Sequence, residues 1–252
     1  MSKLLNMPVL VFVFSFIVLG ISVKLGSFIA RKLRPVKEDE REDLGLVTSA
    51  SLTMLALIIG FTFSMAVGRY DQRKNYEEEE ANAIGTEYVR ADLLSAADAA
   101  TVRQLLTQYL DQRILFYTTR DLQKLDAINS ETATLQNKMW ATVQEAANRQ
   151  PTPVVALAVA GMNDVLNRQG YTQAEWWNRI PTGAWCLMVA LGICCSLLIG
   201  YGAHKGAKLF SVLPFLLSIA FFLIADIDSP RRGVIRVIPQ NLISLSQSMH
   251  SQ

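Results

Sequence analysis

Few residues of this sequence have the types and spacing that enzymes or metal sites need. The two histidines, His204 and His250, have no partner at the spacing of a metal site or a catalytic triad. The glycines at 192, 200, 202 and 206 lie in or beside an apolar stretch rather than in a phosphate-binding loop, and they predict close helix packing there. The sequence therefore indicates no catalytic residue, no metal site and no cofactor, and the protein is not expected to be an enzyme.

The acidic run Glu77–Glu80 is the first charged feature that could do chemistry. Arg73 and Lys74 each stand four residues before a glutamate of this run, a spacing typical of a hydrated helix face. Four consecutive helical residues point around the whole helix, so at most two of them could share one metal or proton site. A hydrated helix face is the favoured interpretation.

A second charged group, Asp226, Asp228, Arg231 and Arg232, follows the last apolar stretch of the chain. An ionisable side chain at a membrane boundary is a candidate functional residue. An interfacial ion pair that fixes the depth of a helix explains the same residues equally well. The sequence leaves both interpretations open.

The two charged groups are positioned by helices that four apolar stretches of the sequence predict. These stretches are Val9–Ala30, Leu46–Gly68, Gly183–Ala203 and Leu209–Ala225. A membrane-spanning helix needs about 20 apolar residues, and the first three stretches meet this length. The fourth has about 17 residues, so it spans only with little tilt or in a thinned bilayer, and a re-entrant arm is the alternative.

Three tryptophans lie at or just before the start of the third apolar stretch, and all three cysteines of the chain lie within it. Trp176, Trp177 and Trp185 cluster at its start, as in the aromatic belt at a membrane interface. All three cysteines lie within the stretch, and we expect them to be buried small hydrophobic residues rather than disulfide partners or metal ligands. They are Cys186, Cys194 and Cys195.

The segment between the second and third stretches has the composition of a polar helical domain. No proline occurs from Val36 to Gln150, and Gly85 is the only glycine between Arg69 and Ala160, so long helices are expected. The first of them should continue directly from the second apolar stretch. Apolar residues recur at helical spacing in three successive segments: Ala81, Ile84, Tyr88 and Ala91; Val102, Leu105, Leu106, Tyr109, Leu110, Ile114 and Tyr117; Ile128, Leu135, Met139, Val143 and Ala146. A fourth helix is predicted over Pro153–Asn167, ended by Gly170, and no segment alternates with the period of a strand.

The predicted fold class is all-α, a four-span transmembrane protein with a helical extramembrane domain between spans two and three. Spans one and two occupy residues 1–68, the helical domain 69–182, and spans three and four with a C-terminal tail 183–252. The helical domain carries 12 Lys/Arg and 15 Asp/Glu, which argues against a nucleic-acid partner. The lipid bilayer is the expected partner. Basic residues in the short loops and after span two favour opposite orientations, so the orientation stays open.

Two stretches, Glu80–Leu94 and Asp226–Val237, resemble an uncharacterised bacterial membrane family described as bestrophin-like. The resemblance covers nearly the whole chain, from the first span to the C-terminal tail. It implies a multi-pass protein of the bacterial inner membrane.

The segment Gly60–Tyr70 is similar to the pore-helix pattern of true bestrophins, in which Gly-Phe is followed by Arg and an aromatic residue. Bestrophins are pentameric anion channels with four spans and a hydrophobic neck on the second. The resemblance implies that Thr53, Leu57 and Phe61 line such a neck. These three residues recur at i, i+4 and i+8, so that one stripe of a helix carries all of them.

The sequence departs from the bestrophin pattern in two places. Met54 stands where bestrophins have the proline that opens the neck. The acidic calcium-binding cluster after the last span is absent, unless Asp226 and Asp228 are its remnant. Both departures argue against gating by calcium.

The favoured function is an oligomeric ion channel, a homopentamer that lets small inorganic anions pass through a hydrophobic neck on span two. The alternative is a non-conducting membrane sensor or assembly partner that acts through its helical domain. Measurement of ion flux in liposomes separates the two.

Overall fold

The computed structural model of the protein describes residues 7–32, 37, 39–203 and 212–251. Helices account for nearly all of these residues, and no strand occurs among them, so the predicted all-α class is confirmed. The helices are α1 (Pro8–Lys32), α2 (Arg41–Arg90), α3 (Ala96–Thr118), α4 (Leu122–Arg149), α5 (Pro153–Trp177), α6 (Thr182–Gly202), α7 (Val212–Asp228) and α8 (Gln240–His250). A short 3₁₀ turn, Ala91–Leu93, follows α2.

The chain forms two compact units. The membrane unit contains Met1–Arg69 and Arg179–Arg236, and the helical unit contains Tyr70–Asn178 and Val237–Gln252. The helical unit thus recruits the C-terminal helix α8 in addition to α3, α4 and α5.

Helix α2 is 50 residues long and unbroken, which confirms that the first helix of the polar segment continues from the second apolar stretch. At 1.5 Å per residue its length is about 75 Å. Its sequence contains no proline, and Gly85 lies in its interior without ending it.

Side chains that accept hydrogen bonds at helix N-termini fix where the helices of the helical unit begin. Ser95 accepts from the Asp98 amide at 3.3 Å and donates to the Asp98 carboxylate at 2.7 Å, at the start of α3. Asp121 accepts from the Gln123 amide at 2.9 Å at the start of α4. Such caps satisfy amides that have no partner within the helix, and each contributes about 1 kcal/mol.

Among the described residues, three helical segments are long and apolar enough to cross a membrane: Pro8–Lys32, Arg41–Leu93 and Pro153–Gly202, the last including α5 and α6. Helix α7 is apolar but has only 17 residues. The predicted start of the fourth span, at residues 209–211, lies outside the described residues. The four-span topology therefore remains a prediction.

Helices α1 and α6 of the membrane unit cross with their backbones in contact. A Cβ atom built on Gly26 would collide with the Leu197 carbonyl of α6, and one built on Gly200 would collide with the Val23 carbonyl of α1. Gly192 similarly faces Leu19 and Phe221. The predicted role of the glycines at 192 and 200 in close helix packing is confirmed, since without a side chain two helices can approach this closely.

One hydrophobic core holds the helical unit together, and the predicted helical faces supply it. The third predicted face is buried in full, and Ile84, Leu106, Tyr109 and Met162 are among the residues with no exposed surface. The 3.6-residue periodicity of the sequence therefore identified the core correctly.

Helix α5 continues to Trp177, well past the predicted end at Asn167, so that prediction was wrong. A glycine inside a helix costs only about 1 kcal/mol relative to alanine. The residues after Gly170 compensate for this cost, because Thr172 and Trp176 are both buried.

The three tryptophans of the predicted aromatic belt differ in their surroundings. Trp176 packs in the core of the helical unit, with its ring 4.8 Å from Phe116 and 5.4 Å from Tyr117. Trp185 is buried within the membrane unit, and only Trp177 is exposed.

The cysteines are all free, but they do not share one environment. Cys195 is buried as predicted, whereas Cys186 and Cys194 are exposed on the surface of this single chain. Neighbouring positions on a membrane helix point to different sides, so one prediction for all three residues was too general.

Candidate functional site

The predicted neck residues share an exposed face of α2 within the membrane unit. Leu57 is 54% exposed and Phe61 is 63% exposed, and Thr53 lies on the same exposed line. Two residues on the opposite side of the helix are buried, since Leu55 is 1% exposed and Ala66 has no exposed surface.

The exposed face is not purely apolar. Ser49, Ser64, Gly60 and Gly68 are exposed beside the predicted neck residues. A Cβ atom on either glycine would meet nothing within 4 Å. Small and hydroxyl-bearing residues are typical of helix–helix contacts and of pore surfaces in membranes, whereas lipid-facing surfaces are mostly uniformly apolar.

The hydroxyl groups of α2 bond to their own helix where their partners are described. Thr53 donates to the Ser49 carbonyl at 2.9 Å, and Thr62 donates to the Ile58 carbonyl at 2.7 Å. This is the usual way in which a threonine is accommodated in a membrane helix. The Thr53 hydroxyl oxygen keeps a lone pair, while its methyl group adds to the apolar stripe.

Asp226, near the end of α7, holds the turn that follows that helix. Its carboxylate accepts hydrogen bonds from the Val234 and Ile235 amides, both at 2.8 Å, and the side chain is 2% exposed. Gly233 completes the turn, because a Cβ atom there would collide with the Asp226 carbonyl. Both carboxylate oxygens of Asp226 are thus used to shape the backbone.

Asp228, the last residue of α7, fixes the segment that precedes α6. Its carboxylate accepts from the Arg179 Nε at 2.9 Å and from the Ile180 amide at 3.2 Å. Arg231 is half-buried on the following turn, and Arg232 is exposed. The four charged residues predicted as a membrane-boundary group therefore lie on the last turn of α7 and on the turn that follows it. No pattern in the sequence indicated that Arg179 joins them.

Replacing Asp226 by asparagine is expected to destabilise the membrane unit. The NH₂ group of asparagine cannot accept a hydrogen bond, so the Val234 or Ile235 amide would lose its partner. An unsatisfied buried group of this kind costs about 1–3 kcal/mol. The yield of folded protein and its thermal unfolding in detergent should both fall. Glu79→Gln, at a partly exposed residue of α2, is the control, and an equal loss in both variants would contradict this role.

The Glu77 carboxylate caps the C-terminal helix α8. It accepts from the Asn241 amide at 2.9 Å, the Asn241 side-chain amide at 2.7 Å and the Leu242 amide at 3.0 Å. The first amides of a helix lack partners within it and carry partial positive charge, so a carboxylate is well suited to this position. Glu77 is 1% exposed.

Glu80 lies at the centre of a fully buried polar network in the helical unit. Its carboxylate pairs with the Arg113 guanidinium and also accepts from the Tyr117 hydroxyl at 3.3 Å and the Thr172 hydroxyl at 3.1 Å. The guanidinium lies 4.4 Å from the centre of the Phe116 ring. Neither member of the ion pair has any exposed side-chain surface.

Burial and the charges of this network shift the pKa values of the ionisable groups within it. Burial, and then the Glu80 charge, raise the pKa of the Tyr117 hydroxyl well above its ordinary value. Burial lowers the pKa of Arg113, but Glu80, Tyr109 and Tyr117 together more than offset this, and the pKa is raised overall. The Tyr117 hydroxyl therefore stays protonated and neutral beside the Glu80–Arg113 pair across the physiological pH range.

The predicted hydrated face is wrong for two of the four glutamates. Glu77 and Glu80 are buried with specific partners, whereas Glu78 is exposed. Glu79 is partly exposed and pairs with Arg168 at 2.5 Å. Among the residues that the structure describes, no three His, Cys, Asp or Glu side chains come together in a group that could hold a metal ion.

Comparison with known proteins decides the family. The family model described as the bestrophin-like domain matches residues 16–242 of the chain. The chain belongs to the bestrophin-like family. No curated protein sequence matches it significantly.

Solved structures share the bestrophin-like fold at low sequence identity. A mutant of a bacterial bestrophin homologue from Klebsiella pneumoniae has a TM-score of 0.64 and 11% identity, covering 97% of this chain and 99% of that chain. A second mutant of this homologue has a TM-score of 0.57 and 11% identity, and the match covers 95% of this chain and 98% of that chain. A structure described as a membrane protein has a TM-score of 0.59 and 12% identity, and the match covers 98% of this chain and 99% of that chain. With its apolar helices, the chain is a bestrophin-like membrane protein.

Proposed function

We propose that this bestrophin-like protein assembles as a homo-oligomer, with the five subunits of bestrophins, and forms a passive channel for small anions. One α2 helix from each subunit would line the pore. Thr53, Leu57 and Phe61 would form its hydrophobic neck. The observation that carries this proposal is that these three residues share an exposed line of α2, whereas Leu55 and Ala66 on the opposite side are buried.

The low burial of α2 supports assembly. Only 6% of its most apolar stretch is buried within the single chain, compared with 28% for α1. Helices of membrane proteins associate through small and hydroxyl-bearing residues, and the exposed face of α2 presents both kinds. A partner surface from neighbouring subunits would cover part of this face.

The neck chemistry supports passive permeation. Leu57 and Phe61 offer large apolar side chains, and α2 carries no charged residue between Asp43 and Arg69. A hydrophobic constriction gates a channel by dewetting and needs neither bound metal nor covalent chemistry. The bilayer and small inorganic ions are then the partners of the assembly, together with further copies of the chain.

The experiment that tests this proposal combines assembly with flux. The purified protein should be a stable oligomer by mass photometry in nanodiscs, and its liposomes should pass chloride at a rate that falls when a large organic anion replaces it. Substitution of the cation should change the rate less. A stable monomer would contradict the channel. A stable oligomer without flux would support the non-conducting sensor or assembly partner instead.

A further inference from the structure

Glu87 is a buried carboxyl group that the proposed channel does not use. It lies in the last turn of α2, within the helical unit, and has no exposed surface. Both of its carboxyl oxygens are buried without a hydrogen-bond partner among the described residues. This differs from Glu77 and Glu80 on the same helix, whose carboxylates are fully engaged.

The surface that buries Glu87 is the backbone of α5 at Gly161. A Cβ atom on Gly161 would collide with Glu87 Oε2 and would lie 2.6 Å from Arg90 Nη1. The carboxyl and the guanidinium, one helical turn apart on α2, therefore converge on the same spot of α5. They are close neighbours, but no hydrogen bond joins them.

Arg90, on the same helix, is the charged group with a resolved electrostatic effect on the Glu87 carboxyl. Helix α5 presents Gly161, which has no side chain. On the adjoining 3₁₀ turn and α3, Asp92 and Arg103 pair with each other at 2.5 Å.

The ionised form of Glu87 is disfavoured in this environment. Burial raises the pKa of the Glu87 carboxyl to about 8, although the Arg90 guanidinium lowers it in part. An isolated buried carboxylate without hydrogen bonds is costly, and the group keeps its proton instead. At neutral pH the buried carboxyl is therefore largely neutral.

We propose that Glu87 is a proton-operated switch of the helical unit, which alternates between a contact with Gly161 and an ion pair with Arg90. In the protonated state the neutral carboxyl packs against Gly161. On mild alkalinisation the carboxyl releases its proton to solvent, and the carboxylate pairs with Arg90. The contact between the last turn of α2 and α5 then loosens.

The direction of the pH dependence follows from linkage. The pKa of Glu87 is about 8 in the folded protein against an ordinary value of 4.5. Between these values the folded state holds a proton that the opened state releases, so rising pH favours opening. The equilibrium constant for opening should increase roughly tenfold for each pH unit in this window. Below this pH window the opening equilibrium does not depend on pH, and above the window the increase in opening has reached its full extent.

Infrared spectroscopy of the full-length protein tests the protonation state directly. At pH 7 the wild-type protein should show the band of a buried protonated carboxylic acid, and this band should titrate with a midpoint near pH 8. Glu87→Gln should remove the band. Glu78→Gln, at an exposed residue of the same helix, should keep it. A band that persists in Glu87→Gln, or no such band in the wild type, would overturn the proposal.

Hydrogen–deuterium exchange tests the structural consequence. After correction for the intrinsic pH dependence of exchange, α5 amides around Gly161 should open more often as the pH rises from 6 to 8 in the wild type and in Glu78→Gln. Glu87→Gln, and Glu87→Met as a second neutral variant, should lose this dependence. The same pH dependence in all variants would show that Glu87 is not the switch. Neither readout depends on ion conduction, so the test is independent of the proposed channel.

Discussion

Leu57→Ala and Phe61→Ala are expected to raise the ion flux of the reconstituted protein and to weaken its discrimination between ions. If the exposed face of α2 lines the neck, each truncation widens the constriction in every subunit and lets water replace a dewetted segment. Because both side chains are largely exposed within the chain, their truncation should leave the yield and the oligomer unchanged. Flux and assembly should be measured side by side.

Leu55→Ala is the matched control for Leu57→Ala, since the two leucines lie on opposite sides of one helix. Leu55 is 1% exposed, so its truncation leaves a cavity that costs about 2–5 kcal/mol of the free energy of unfolding. That variant should lose yield without gaining flux, and Ile58→Ala, at a half-buried position, should lie between. If Leu57→Ala behaves like Leu55→Ala, α2 is an ordinary packing helix and the proposed neck is wrong.

The second large effect is expected at the buried ion pair of the helical unit. Glu80→Gln leaves the Arg113 guanidinium buried and uncompensated, and breaking a buried pair in this way costs about 3–5 kcal/mol. The thermal unfolding transition of the variant, followed by far-ultraviolet circular dichroism in detergent, should shift to a clearly lower temperature. Arg113→Met should do the same by stranding the carboxylate.

Two further variants make this test specific. Glu79→Gln breaks the partly exposed pair with Arg168, which should change the stability by about 1 kcal/mol at most. The double variant Glu80→Gln/Arg113→Met removes both charges and should recover part of the stability that either single variant loses. Equal effects of Glu79→Gln and Glu80→Gln would contradict the structural importance of the buried pair.

Local periodicity predicted most of the fold. The spacing of Ile128, Leu135, Met139 and Val143 identified a helical face that is buried in full, because burial on a helix follows a period that is visible in the sequence. The same reasoning predicted that α2 would be unbroken. It failed where a tertiary contact outweighs a local signal, as at Gly170, which α5 passes without ending.

The roles of the charged residues could not be predicted in this way. Glu77 and Glu78 are neighbours in the sequence, yet the first is buried and the second is exposed. The partner of Glu77 is Asn241, 164 residues away, and that of Glu80 is Arg113, 33 residues away. No spacing rule joins residues so far apart. The i,i+4 pattern before the acidic run therefore favoured a hydrated face that forms only in part.

The same limit applies to the candidate site. The sequence resemblance selected Thr53, Leu57 and Phe61, and the structure adds that they share an exposed face. It also adds Arg179 as the partner of Asp228, a contact between segments that are 49 residues apart. Glu87 drew no attention in the sequence, because its isolation results from the absence of a side chain at Gly161, which only the packing of α2 on α5 reveals.

The crossing of α1 and α6 has a consequence for the gene that encodes this protein. At positions 26 and 200 every missense codon adds a Cβ atom, and at both positions that atom would meet the backbone of the other helix rather than a movable side chain. Selection for folded protein would thus leave only the synonymous glycine codons at these two sites. Gly20 of α1 has open space around it within the chain, so packing inside the chain does not restrict its codon in the same way.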